Sequence, residues 1–372
     1  MVEPKEIQEQ VKALLNGPVY GGDEALRLET LRHRMAEAAR LHAGYANYIS
    51  HWPIPLAEAG SIADLPYLPV ALFKEMNLSL VAEEQVKMSL HSSSTTGQTP
   101  ATVPIDGKTG RAMSRGVTNI LSHFIGSHRR PYLVMDDLSA NTGDQSLGAR
   151  GAAIRGLIPY ASDVVYGLKI DQQNQFELLA EELRQFAQSH GDGPVLIYGF
   201  TWILWQAVVL AMEAQGLQLK LPEATVIHSG GWKKLTALAV DKAEYNQRVA
   251  KVFGMQPERV IDLYGMVENV GIVYPDCSEG LKHAPMFGGV VIRDTTTLQP
   301  VETGQSGLIQ VMSVLPGSFP GHSLLTDDLG QLVHAEGCAC GRPGAAFRLM
   351  GRAPTVEVRG CSDVMALKGV GG

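Results

Sequence analysis

The sequence predicts an α/β chain with parallel-sheet subdomains and a small β-rich, barrel-like part. Three observations predict it. Between residues 86 and 264, short apolar runs alternate with helical patterns, as parallel strands with helical crossovers do. Beyond residue 285 the helical patterns give way to short β-like runs separated by turns. The 40 glycines and 20 prolines imply many tight turns, which suits layered α/β architecture better than a helical bundle.

The elements follow in order. Pro4–Leu15 and Asp23–Tyr48 have helical spacing, with Leu26, Leu28, Leu31, Met35, Ala38, Leu41 and Tyr45 recurring mostly every three or four residues. Pro53, Pro55, Pro66 and Pro69 break the chain into extended connections, and Leu65–Lys74 reads as a packed connector. Val86–Leu90 and Ala101–Ile105 are expected strands, Thr109–Ile125 a helix and Pro131–Met135 a short buried strand. Residues 143–156 are glycine-rich and read as loop. Asp163–Tyr166 is an expected strand and Gln175–Ser189 an amphipathic helix. Strand Val195–Tyr198, helix Thr201–Gln215, strand Ala224–His228, helix Tyr245–Phe253 and strand Val260–Leu263 complete the alternation. Gly288–Arg293, Gly307–Val311 and Gly330–His334 are the later β-like runs. The expected organisation is a helical region and connector over 1–85, an α/β core over 86–285, a β-rich subdomain over 286–365 and a flexible tail over 366–372.

With 372 residues, 45% hydrophobic and 19% charged, the composition is that of an ordinary globular protein. The net charge of −7, with no basic block longer than His128-Arg129-Arg130, argues against nucleic acid as a partner. The N-terminal residues Met1–Glu6 lack the apolar core of a signal peptide. The apolar run Val195–Met212 is interrupted by Gly199, Thr201 and Gln206, and reads as strand and core helix, not a membrane span. A soluble cytoplasmic location is expected.

Ligands of parallel sheets gather at the carboxyl ends of strands. Three polar, glycine-containing stretches occupy that position: Ser92–Gly97, Ser229–Trp232 and Tyr264–Glu268. In the first, Ser93, Ser94, Thr95 and Thr96 precede Gly97, and hydroxyls with free N–H groups can wrap phosphate oxygens. No lysine follows, so this is not a Walker A loop.

These motifs, in order, resemble the adenylate-forming (acyl-AMP) superfamily, and more closely its short branch, the LuxE-type acyl-protein synthetases. Leu65–Lys74 resembles that branch's Pro-Val-x-Leu-Phe-Lys segment, and Ser92–Gly97 the Ser-Ser-Gly-Thr-Thr-Gly phosphate loop. Ser229-Gly230-Gly231-Trp232-Lys233 is similar to the segment near the adenine, and Tyr264–Glu268 to Tyr-Gly-x-Thr-Glu. Thr326-Asp327-Asp328 resembles Thr-Gly-Asp, and Gly351-Arg352 the Gly-Arg before the hinge. The resemblance implies a large adenylate-forming N-terminal domain, with the C-terminal mobile domain missing or vestigial.

It also implies roles. Ser93, Ser94, Thr95, Thr96 and Gly97 would hold the ATP phosphates, with Thr95 in the catalytic set. Glu268 would reach Mg²⁺, a hard ion suited to one carboxylate plus phosphate oxygens. Gly230, Gly231, Trp232, Tyr264 and Gly265 would surround the adenine. Asp328 would accept from the ribose hydroxyls, and Arg352 would add a fixed positive charge or a ribose contact. Ser94 stands where the family loop has glycine, and Val267 where threonine is usual; both departures count against full activity. On residue type alone, Glu268 also reads as a helix-start carboxylate and Asp328 as a turn former.

The cysteines divide in two. The LuxE-type branch uses a cysteine near its C-terminus as acyl acceptor, and Cys361 is positioned for that role, or is an inert thiol in a final strand. Cys277, His283, Cys338 and Cys340 form either a Cys₃His set for structural Zn²⁺ or reduced turn cysteines. The expected function is ATP-dependent activation of a carboxylic, fatty acid substrate with acyl transfer to a thiol. An acyl-CoA reductase or acyl carrier protein is the expected partner, and Tyr198–Leu204 the expected acyl wall. The alternatives are a CoA- or carrier-directed ligase of the phenylacetate–CoA ligase type, and a weakened homologue acting as scaffold.

Overall fold

The computed structural model describes residues 4–92, 100–141, 146–232 and 238–353, without the side chains of 141 and 146–149. The chain divides into two compact units. The first holds residues 1–120, 266–272 and 279–372, and the second 121–265 and 273–278.

The first unit begins with helices α1 (Lys5–Asn16), α2 (Glu24–Leu41) and α3 (Ala43–Ser50). The single helical pattern over Asp23–Tyr48 is therefore two helices. Asp23 caps α2 by accepting from Leu26 N at 2.9 Å, and His42 adopts an extended backbone and caps α3, its Nδ1 accepting from Tyr45 N at 3.0 Å. A two-residue strand β1 (Leu68–Pro69) and a short helix α4 (Leu72–Glu75) form the connector. An antiparallel pair, β2 (Val86–His91) and β3 (Thr102–Asp106), leads into the long helix α5 (Gly107–Ile125).

The second unit is a parallel sheet with helical crossovers. After β4 (Arg130–Val134) come β5 (Ser146–Gly148), α6 (Ala149–Leu157), β6 (Ala161–Tyr166), the hairpin β7 (Leu168–Ile170) and β8 (Phe176–Leu178), and α7 (Ala180–His190). Next are β9 (Leu196–Phe200), a helix built of α8 (Thr201–Ile203), a π-helical stretch over Leu204–Val209 and α9 (Leu210–Ala214), then β10 (Thr225–Ser229), α10 (Lys242–Phe253) and β11 (Val260–Tyr264). The strand order is β12-β11-β10-β9-β4-β6, in which the short β12 (Tyr274–Pro275) alone runs antiparallel to its neighbour. The central strand β9 is buried along its whole length, as a strand covered on both faces must be.

Two expectations change here. The glycine-rich stretch 143–156 contains α6, whose Ile154 is fully buried. The pattern over Gln175–Ser189 is a strand followed by a helix. Asp171 Oδ1 accepts from Gln175 N at 2.8 Å and closes a hairpin turn, and Phe176 packs edge-on against Trp202 at 6.0 Å.

The chain returns to the first unit and closes on an antiparallel meander. It consists of β13 (Lys282–His283), β14 (Gly288–Arg293), β15 (Ser306–Ser313), β16 (Ser323–His334) and β17 (Ala346–Arg352) in the order β13-β17-β16-β15-β14, with β1 added parallel to β16. Helix α2 lies against this sheet through buried arginines. Arg27 Nη1 donates to Gly288 O at 3.3 Å, and Arg34 Nε to Val314 O at 2.9 Å. Among the described residues no helix is long and apolar enough to cross a membrane.

Candidate active site

The residues singled out from the sequence fall into three groups. In the first unit, Glu268 sits in a 3₁₀ turn over Val267–Asn269 and is 6% exposed. Burial pushes its carboxyl above the ordinary carboxylate range. Its own backbone N–H opposes that shift, as do the charges of Lys74 and Arg352, while Asp327 adds to it. Glu268 is thus a desolvated acid with cations in reach.

Asp328 lies in the middle of β16, opposite Arg352 at the end of β17, with Arg352 Nε 3.8 Å from Asp328 Oδ1. The Arg352 side chain is 78% exposed, so this pair orients the groups more than it stabilises them. Thr326 fixes the backbone here: its hydroxyl donates to Ile309 O at 2.8 Å and accepts from Asp328 N at 3.1 Å. Lys74 and Thr326 are the members that residue reading did not assign. Lys74 closes the Pro-Val-x-Leu-Phe-Lys segment, which was the available signal.

In the second unit, the strand ends carry Gly230, Gly231 and Trp232 after β10, and Tyr264 and Gly265 at β11. Gly230 has φ +84°, and a Cβ there would stand 2.5 Å from the Phe200 ring. Only glycine fits. Tyr198 and Ser229 share a hydroxyl hydrogen bond of 2.7 Å, and Thr201 Oγ1 lies 3.0 Å from His228 Nδ1. Trp232, Trp205 and Tyr245 form an aromatic cluster with ring centroids 5.5 to 5.7 Å apart. Tyr264 packs on Tyr274 at 5.7 Å. Within Tyr198–Leu204 every residue except Trp202 is buried, and a π-helical stretch, a form frequent at functional sites, begins at Leu204. Ser93, Ser94, Thr95, Thr96, Gly97 and Cys361 lie outside the described residues.

A third group lies at the far end of the meander. His283, fully buried in β13, has Nε2 3.4 Å from Cys340 Sγ, and the ligand atoms of His283, Cys338 and Cys340 all lie within 4.8 Å of one another. The two cysteines belong to the turn between β16 and β17, where Cys338 N donates to Arg342 O at 3.1 Å and Gly341 takes φ +85°. Cys277 is buried in the 273–278 segment of the second unit, six positions before His283 in the chain.

A family model described as acyl-protein synthetase, LuxE, matches residues 27–369. The chain belongs to that family. The long-chain-fatty-acid–luciferin-component ligase of Vibrio harveyi is 24% identical over 310 residues, covering 82% of this chain and 78% of that one. The ligase of the same description from Aliivibrio fischeri is 24% identical over 315 residues, covering 82% and 79%. An open conformation of 2-hydroxyisobutyryl-CoA ligase, solved with 2-HIB-AMP and CoA, superposes with a TM-score of 0.67 at 15% identity over 88% of this chain and 74% of that one. The same ligase in its postadenylation state gives 0.65 at 16% identity, over 88% and 67%. These likenesses place this LuxE-family chain in the fold of the adenylate-forming ligases.

Proposed function

We propose that the chain activates a long-chain carboxylic acid with ATP as an acyl adenylate and passes the acyl group to a thiol. The buried carboxylate of Glu268 carries this reading, and membership of the acyl-protein synthetase family supports it. Desolvation disfavours its charge, and an arriving divalent cation restores it. The residue therefore fits Mg²⁺, which when bound neutralises phosphate oxygens. Asp328 accepts from the ribose hydroxyls, Arg352 supplies a fixed positive charge, and Ser93, Ser94, Thr95, Thr96 and Gly97 donate to the phosphates. Gly230, Gly231, Trp232, Tyr264 and Gly265 surround the adenine, and Tyr198–Leu204 forms part of the acyl wall.

Two transfers follow. A carboxylate oxygen of the acid attacks the α-phosphorus, the bond to the bridging oxygen breaks, and pyrophosphate leaves. The Cys361 thiolate then attacks the acyl carbon, and AMP leaves as the thioester forms. An acyl-CoA reductase or a carrier protein is the final acceptor in this proposal.

Carboxylate-dependent exchange of labelled pyrophosphate into ATP tests the first step. Exchange that rises with long-chain fatty acids is expected. Its absence across a panel of acids, from folded protein, would overturn the adenylation reading.

We also propose structural Zn²⁺ at His283, Cys338 and Cys340. Zn–S bonds of about 2.3 Å in a tetrahedron put ligand atoms about 3.8 Å apart. The spacing of the three gathered ligands suits that.

A further inference from the structure

We propose that the first unit carries a second anion site, which takes a small molecule bearing two or more phosphate groups. It does not rest on the acyl-transfer reading. Helices α1, α2 and α5 and the segment around Leu315–Gly317 line an open cleft of about 300 Å³. Five cations line it, Lys12 from α1, Arg34 from α2 and Lys108, Arg111 and Arg115 from α5, and no carboxylate is among the described lining residues. In a chain of net charge −7, such a one-signed cleft is out of keeping with the rest of the sequence. Like charges held this close raise each other's energy, and a bound polyanion reverses the sign of that interaction.

The cleft walls are fastened by contacts that leave the charged stripe in place. Asn119 Nδ2 donates to Leu15 O at 2.7 Å and Arg115 to Asn16 Oδ1, which clasp α5 to the end of α1. Thr109, 1% exposed, accepts on its hydroxyl from Gly317 N at 3.0 Å and Ser318 N at 3.2 Å, pinning the start of α5 to the opposite wall. Arg34 is 6% exposed and held by Val314 O, whereas Lys12, Lys108 and Arg111 are exposed. Arg34 and Arg115 are thus held in place before a ligand arrives, and the exposed cations close on it from the rim.

Size selects the ligand. Lys108, Arg111 and Arg115 stand at i, i+3 and i+7, one face of a helix over about 10 Å. That length exceeds one phosphate and matches a short phosphate chain. A cleft walled on several sides suits a small molecule better than a protein surface. Strand β3 runs from Thr102 to Asp106, about 17 Å at about 3.3 Å per residue, and the cleft lies at its far end from residue 101.

Calorimetric titration of the full chain with tripolyphosphate at physiological salt tests the proposal. Binding is expected, at least about tenfold tighter than for orthophosphate. The double variant Lys12→Gln, Arg111→Gln is expected to weaken it at least about tenfold with the ligand-free thermal midpoint no lower. In the wild type, excess AMP should leave the titration unaltered, which needs no variant. Tighter binding of tripolyphosphate than of adenosine 3′,5′-bisphosphate supports an inorganic chain as ligand, and the reverse order supports a nucleotide carrying two phosphates. Absence of binding, equal affinity for orthophosphate, displacement by AMP or an unaffected double variant would each overturn the site. Binding of poly-glutamate but not of tripolyphosphate would overturn it in favour of a docking face for an acidic protein.

Discussion

Glu268 combines opposing demands on a single carboxyl. Its raised pKa means that the fold gains from the protonated form: that contribution is full below the ordinary carboxylate value and is lost as pH rises through the folded value. Glu268→Gln should therefore raise the thermal midpoint at neutral pH while cutting pyrophosphate exchange at least about a hundredfold. Apparent Mg²⁺ affinity should tighten as pH rises through the same range, because the proton must leave before the cation is held. His322 has the opposite sign. Burial first, then the charge of Arg34, lowers its pKa to about 3, against the hydrogen bond from Nε2 to Pro316 O at 3.0 Å. Its buried Nδ1 has no partner among the described residues, so a second proton is stranded there. Its stabilising contribution is full above the ordinary histidine value and is lost as pH falls from there towards about 3. His322→Gln keeps a donor for Pro316 O and should flatten the fall in thermal midpoint between neutral and acidic pH. At this scale motif order singles out Glu268, Asp328 and Arg352. It gave no role to Lys74, whose effect on Glu268 exists only once α4 is folded, nor to Thr326, whose two backbone hydrogen bonds depend on strand register.

Elements were legible where periodicity was undisturbed. The strands β9, β10 and β11 and the helix α10 fall where apolar runs put them, and α10 starts three residues early because Asp241 caps it, accepting from Glu244 N at 2.8 Å, while Gly254 closes it with φ +67°. Helix α6 was hidden by its glycines, and β8 by a spacing that a helix shares. Helix α5 depends on close approach. A Cβ at Gly116 would stand 2.5 Å from Gly271 O and 2.7 Å from Leu315 Cδ1. Gly116→Ala gains about 1 kcal/mol of helix propensity but overpacks a backbone contact at about 1–3 kcal/mol. A net loss of up to about 2 kcal/mol in denaturant unfolding is expected. The β16–β17 turn has its own test. Purified protein should hold about one Zn²⁺ per chain, and chelation should lower the thermal midpoint. Metal content near zero would reject the site.

At the scale of the whole chain, adenylation and acyl transfer should separate. Cys361→Ser should leave pyrophosphate exchange intact and abolish the acyl adduct seen by intact mass, whereas Glu268→Gln should abolish both. An adduct that survives Cys361→Ser would remove that thiol as acceptor. The parallel sheet and the meander were each readable from strand texture. Their division into two units was not, because residues 266–272 return to the first unit from within the pattern of the second.

Strand β16 spans both ends of this chemistry. It is buried from Ser323 to Thr326, carries Asp328 at its middle, and continues into the cysteine turn. Its pairing with β17 is irregular between Leu329 and Gly330, and again between Leu332 and His334. Such irregularities act as an expansion joint, absorbing displacement on one side without passing a register slip to the other. Amide hydrogen exchange should report it. Chelation should accelerate exchange at Gln331–His334 and leave Leu324–Asp328 protected, which would show the half of the strand that carries Asp328 to be insulated from the cysteine turn.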